Sequence, residues 1–159
     1  MILADPDSLR AALLRNQRLL GLDLGEKTIG LALSDPMLSV ASPVSTIKRT
    51  KFTADANALL KLAAERGVGG LVIGLPLNMD GSEGPRCQST RQFGANLLKL
   101  KDFPILYWDE RMSTLAVERE MIAHDVSRAK RDKVVDQAAA AFILQGVLDA
   151  LARTKASTN

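Results

Sequence analysis

The sequence predicts a mixed α/β domain: a five-stranded sheet, antiparallel at first and parallel later, with helices on both faces. Three observations lead there. The 159 residues suit one domain. Three apolar runs joined by short connections open the chain, which implies an antiparallel meander. After residue 53 strand-like runs alternate with helical ones, which implies right-handed crossovers and parallel pairing. No internal repeat or low-complexity segment interrupts the pattern.

Each element has a local reason. Residues 6–16, PDSLRAALLRN, start with Pro6 and Asp7 in a first helical turn and put Leu9, Ala12 and Leu13 on one stripe. They form a helical extension, 1–17, ahead of the main domain, 18–153. Residues 18–25, RLLGLDLG, are a buried strand. Gly25, Glu26 and Lys27 turn the chain, and 28–35, TIGLALSD, return with Ile29, Leu31 and Leu33 alternating against smaller residues. Pro36 stops that strand. Residues 40–49 are a third strand, and Pro43 assigns it to an edge. Residues 54–66 are helical with Gly67 as C-cap. A strand over 70–75 leads into the loop PLNMDGSEGPR. A helix over 87–100 carries Phe93, Leu97 and Leu100, and residues 104–109, PILYWD, form the last strand. Ser113 or Thr114 caps a helix to about Ala123. A long helix covers 131–153, and the tail 154–159 is expected to be disordered.

Composition excludes several classes. Hydrophobic residues make up 47% and charged residues 25%, which is globular. No apolar run reaches the ~20 residues of a membrane span, and the N-terminal MILADPDSLR lacks a signal peptide's basic start, so a soluble cytoplasmic protein is expected. One cysteine, Cys87, and one histidine, His124, rule out an intrachain disulfide and a Cys/His zinc site. A bound metal would need oxygen ligands, which favours Mg²⁺ or Mn²⁺. Cys87 reads as a packing residue at a helix start. The net charge of +3 and pI near 9.2 hint at an anionic partner. Arg128, Lys130, Arg131 and Lys133 cluster in SRAKRDK, and a second basic run, KRTK, covers 48–51. Such runs are solvated loops unless a phosphate site lies nearby. Aromatic content, 4%, is low for a base-stacking platform.

Several carboxylates sit where burial should penalise them. Asp23 lies inside an apolar strand, on the face shared with Leu19 and Gly21, opposite Leu20, Leu22 and Leu24. It must pair, hold a metal or act chemically, unless it caps the turn at Gly25. Asp136 projects along the stripe of Ala140, Ile143, Val147 and Ala150, so it needs a partner, either a site or a salt bridge such as one to Lys133. Asp109 and Glu110 end a strand at the edge where α/β sheets collect ligands. Adjacent residues point to opposite faces, so one enters the site and the other caps the next helix. Arg111 follows as a candidate for a phosphate or an acid. Asp35 before Pro36 is a turn residue. Converging carboxylates suit phosphodiester hydrolysis, because two Mg²⁺ ions roughly 4 Å apart stabilise both attacking and leaving oxygens.

Four segments resemble the YqgF family, also called RuvX: LLGLDLGEKTIGLALSD, LVIGLPLNMDGSEGPRCQ, WDERMST and KRDKVVDQAAAAFILQ. They span residues 18–150 in the family's order. The resemblance implies an RNase H-like fold related to RuvC-type Holliday junction resolvases, and an acidic triad. Carried onto this chain, the triad is Asp23, an acid of the Asp109–Glu110 pair, and Asp136. Glu110 is preferred because its longer side chain can reach from an outer strand, with Asp109 as fallback. Asn78, Arg86 and Arg111 are candidate phosphate contacts by position; for Asn78 and Asp80 the alternative is turn chemistry. The implied activity is metal-dependent processing of the 5′ end of pre-16S ribosomal RNA, alternatively resolution of Holliday junctions. The partners are structured RNA or branched DNA and pre-ribosomal particles, with the chain a monomer or a homodimer. Two rivals remain. The sugar-kinase and actin superfamily shares the first hairpin but encloses ATP between two such domains. A non-catalytic nucleic-acid binder would gain nothing from three acids facing phosphates.

Overall fold

The computed structural model describes residues 1–110 and the helix Arg128–Ser157, except for the side chains of 128–135 and 155–157. The helix expected over 113–123 lies outside the described residues, as does Arg111. In chain order the elements are β1 (Ile2–Leu3), α1 (Pro6–Ala12), β2 (Arg18–Leu24), β3 (Thr28–Ser34), β4 (Ala41–Lys48), α2 (Phe52–Glu65), β5 (Val68–Leu75), α3 (Pro85–Leu100), β6 (Ile105–Asp109) and α4 (Arg128–Ser157).

The sheet has six strands in the order β1-β6-β5-β2-β3-β4. The pairs β2–β3 and β3–β4 are antiparallel, whereas β2–β5, β5–β6 and β1–β6 are parallel. The meander and the crossovers match the sequence pattern, and β4, which contains Pro43, is an edge. The count of five is one short. Ile2 and Leu3 pair with Ile105 and Leu106, and two residues are too few to show a period of two.

Strand alternation sorts the core into two layers. Leu20, Leu22 and Leu24 of β2 join Ile29, Leu31 and Leu33 of β3 beneath α2 and α3, where Ala56, Leu59, Phe93 and Leu97 close the packing. The opposite face carries Leu19, Ala32 and Val72 beneath α1 and α4, with Leu9, Ala140, Ile143, Leu144 and Val147. Fully burying each such leucine or isoleucine contributes about 1.5–3 kcal/mol. The α4 side of the sheet is lined with small residues. A β-carbon on Gly21 would lie 2.8 Å from Leu144 Cβ, so the helix axis sits close to β2. Gly67 adopts φ 67° just after α2, and a β-carbon there would meet nothing. Glycine is therefore needed for the left-handed C-cap, not for space.

Helix ends differ from expectation where caps are weak. The N-caps Lys51 and Gly84 make no side-chain capping bond, so α2 and α3 begin at Phe52 and Pro85 without the usual signal. Helix α4 starts at Arg128 and continues through Ser157, past residue 153 where the sequence places its end. Thr154 Oγ1 donates to the Ala150 carbonyl in that last stretch. Among the described residues, no helix is long and apolar enough to cross a membrane.

Candidate active site

The β2–β3 hairpin sets the first acid in place. Gly25 N–H donates to the Thr28 carbonyl, closing the turn at 2.8 Å. The register then puts Asp23 opposite Gly30. Asp23 shares a face with Leu19 and Gly21, the face covered by α4, and is only 7% exposed. Its carboxyl does not cap the turn at Gly25, because the Thr28 carbonyl takes that N–H.

Glu110 comes from the other side. Asp109 is the last residue of β6 paired with β5, opposite Leu75. Glu110 N–H bonds the Leu75 carbonyl at 3.3 Å. Leu106 and Trp108 pack under α4, so by alternation Glu110 also faces that side, while Asp109 is exposed. The Glu110 side chain folds over Gly74: a β-carbon there would overlap Glu110 Oε2 and Ile143 Cδ1. The carboxyls of Glu110 and Asp23 lie within hydrogen-bonding reach of each other.

Asp136 approaches from α4. Its backbone lies so close to Gly30 that a β-carbon would strike the Asp136 carbonyl oxygen. Thr28 Oγ1 donates to Asp136 Oδ2; the side chain of Lys133, the ion-pair partner that the sequence offers for this acid, lies outside the described residues. Asp136 lies within electrostatic reach of Asp23. Thus the structure brings together Asp23, Glu110 and Asp136, three residues distant in the chain.

Crowding has an electrostatic signature. Burial, then the charges of Glu110 and Asp136, push Asp23 up to about 8, with Arg86 pulling the other way. Burial also raises Glu110, with exposed Asp109 adding to the rise, while the hydrogen bond to Asp23 and the charge of Arg86 oppose it. Two carboxyls this close share a proton unless a cation neutralises them. Among the described residues, no three Asp, Glu, His or Cys side chains stand ready as a ligand cage. The donor set nevertheless fits a hard divalent cation. All three groups offer oxygen, and buried Glu110 Oε2 has no hydrogen-bond partner.

A pH dependence follows. An unfolded chain releases the Asp23 proton near the ordinary carboxylate value, about 4, whereas the cation-free fold retains it up to about 8. Between those values the folded state binds more protons, so stability falls as pH rises. The penalty is absent below about pH 4 and complete above about pH 8. Urea unfolding in chelator should give a higher midpoint at pH 5 than at pH 8. A midpoint that rises with pH would show that the acids are not forced together.

The other candidates fall in three places. Arg86, at the exposed start of α3, faces both Asp23 and Glu110. Asn78 and Asp80 close their own loop: Asn78 Nδ2 donates to Ser82 Oγ at 3.0 Å, and Asp80 Oδ1 accepts from Ser82 N–H at 2.9 Å. Turn chemistry accounts for both. Arg111 and the side chains of Arg128, Lys130, Arg131 and Lys133 lie outside the described residues. Asp35 is a turn residue, its Oδ1 accepting from Ser39 and Val40 N–H, and Cys87 is buried as a packing residue. Thr28, Gly30 and Gly74 escape sequence reasoning. A two-residue turn at Glu26 and Lys27, with Gly25 paired to Thr28, is what places Gly30 opposite Asp23.

Comparison with known proteins places the chain in a family. The family model described as "RuvX: Holliday junction resolvase" matches residues 17–150. A protein of Paramagnetospirillum magneticum (strain ATCC 700264 / AMB-1) named "Putative pre-16S rRNA nuclease" is 62% identical over 144 residues, covering 91% of this chain and 93% of its own. One of the same name from Rhodopseudomonas palustris (strain TIE-1) is 68% identical over 134 residues, 84% of each chain. Among solved structures, Thermus thermophilus RuvC in complex with a Holliday junction substrate aligns with a TM-score of 0.51 at 11% identity, over 84% of this chain and 94% of that one, a likeness of fold. A family-model match over residues 17–150, with relatives 62% and 68% identical over most of their length, makes this chain a member of the RuvX family.

Proposed function

We propose that the chain is a divalent-cation-dependent nuclease that hydrolyses phosphodiester bonds, with pre-16S ribosomal RNA as substrate and its 5′ end as the point of cleavage. The convergence of Asp23, Glu110 and Asp136 at one end of the sheet carries this reading. The names of the relatives at 62% and 68% identity supply the substrate. The nuclease domain is 18–153 with 1–17 as its extension, working in the cytoplasm on pre-ribosomal particles.

Mg²⁺ or Mn²⁺ at this site, one ion or two, would neutralise charge on the attacking and leaving oxygens and acidify water. The chain's own groups do the rest. Asp23 and Glu110, once their shared proton is gone, offer ligand oxygens from β2 and from the end of β6. Thr28 orients Asp136 as the third ligand. Arg86 stands beside them as a guanidinium fork for non-bridging phosphate oxygens. Arg111 and Asn78, by their positions in the sequence, would add contacts to the nucleic-acid backbone. Arg128, Lys130, Arg131 and Lys133 attract the polyanion, so binding weakens as salt rises.

The family's description favours a second substrate, the four-way DNA junction. A resolvase needs two symmetric cuts and hence a two-fold dimer, whereas an RNA-processing enzyme can act as a monomer. The test offers purified protein a 5′-extended ribosomal RNA precursor and a four-way junction, each with Mg²⁺ and with chelator. Cleavage of the RNA alone, lost in chelator, is the expected result. Paired junction cuts would shift the assignment, and cleavage unaffected by chelator would overturn the cation-dependent mechanism.

A further inference from the structure

A cavity of about 440 Å³ opens beside the acid site, bounded by the hairpin turn at Gly25 and Glu26, the end of β4 at Arg49, and the start of α3 at Arg86, Ser89 and Thr90. Its volume is that of a small-ligand site, where about 300–1,000 Å³ is usual. Two guanidinium-bearing residues from different elements line it. Arg49 is fixed, donating to the Gly25 carbonyl at 2.7 Å and lying over the Phe93 ring at 5.8 Å from its centre. The Arg86 carbonyl accepts from Thr90 Oγ1, but its guanidinium hydrogen-bonds to none of the described residues, and it faces Asp23 and Glu110 as well as the cavity. No side chain caps the α3 N-terminus, and its first turn holds no acid. Glu26, exposed at the rim, is the carboxylate among the described lining residues. Two arginines line one cavity, and neither forms an ion pair within 4.0 Å among the described residues, so both guanidinium groups are available to an anion there.

We propose that this cavity seats the phosphate of the nucleotide flanking the scissile bond, with Arg49 and Arg86 as its cations and Ser89 as hydroxyl donor. The juxtaposition is Arg86, shared between the cavity and the acid pair. It sets a strand's register by anchoring one phosphate while the next lies over Asp23 and Glu110. This rests on the nuclease reading for its role but not for its binding.

The test places a carboxylate in the cavity. Ser89 is exposed on α3, so Ser89→Asp should fold, as checked by thermal melting. Fluorescence anisotropy with a short labelled single-stranded RNA in chelator, and cleavage kinetics in Mg²⁺, are compared with wild type. Losing a charge-assisted contact should raise Kd and KM about tenfold or more while kcat holds within about twofold. Unchanged Kd in a folded Ser89→Asp protein overturns the subsite. If wild type binds but never cleaves, and Ser89→Asp weakens binding, the subsite stands and the nuclease reading falls. If inorganic phosphate binds wild type but Ser89→Asp leaves RNA affinity intact, the cavity serves a free anion and the strand assignment is overturned. Arg86→Gln repeats the binding arm should Ser89→Asp misfold; unchanged affinity there has the same adverse meaning.

Discussion

Asp23→Asn should lower Mg²⁺-dependent cleavage by about 10³-fold or more while leaving the chain folded. Asparagine keeps the shape of the side chain but cannot bind a cation as a carboxylate does. The same change should stabilise the cation-free protein above pH 5, because a buried acid beside Glu110 and Asp136 no longer has to hold or lose a proton. Its urea midpoint should therefore vary much less with pH than that of wild type. Mg²⁺, which should raise the wild-type midpoint at pH 8, should raise the variant's far less. The combination distinguishes a site residue from a structural one, since a structural acid would lose stability on neutralisation. Cleavage at the wild-type rate by Asp23→Asn would remove Asp23 from the chemistry.

Gly30→Val is the second large effect, and it acts without touching a charged group. A β-carbon at residue 30 would occupy the space of the Asp136 carbonyl oxygen. Backbone cannot yield as a flexible side chain would, so α4 must lift from the sheet. Overpacking of this kind should destabilise the protein by about 3 kcal/mol. Displacing Asp136 from Thr28 and from the other two acids should also reduce cleavage about 10²-fold, as misplacement by an ångström does. Denaturant unfolding and single-turnover cleavage measure the two effects. Gly74→Ala should act similarly through Glu110 and Ile143. If Gly30→Val keeps wild-type stability and rate, close approach of α4 is not what assembles the site.

The fold is largely legible in the chain because its signals are local. The alternation in RLLGLDL and TIGLALS sorts Leu20, Leu22, Leu24, Leu31 and Leu33 from Leu19, Gly21, Asp23 and Gly30, and the two layers of the core obey it. Gly67 punctuates α2 because glycine, with no β-carbon, takes φ 67° at no steric cost. Legibility stops where a signal needs distance. The strand Ile2–Leu3 exists only because β6 offers an open edge. The start of α3 lacks a capping side chain, so periodicity alone marks it late.

The site divides the same way. By itself, the sequence determined that Asp23 and Asp136 are acids in apolar surroundings, and that one of Asp109 and Glu110 joins them. Burying an unpaired carboxylate is unfavourable enough to be visible in the residue pattern. Only the tertiary structure set Glu110, not exposed Asp109, beside Asp23, through the register of β6 on β5 and the bare α-carbon of Gly74 beneath it. It also decided that Thr28 receives Asp136 and that Arg49 and Arg86 face one cavity. Those are contacts between residues far apart in the chain, and their partners are set by how strands and helices pack, which no local pattern encodes.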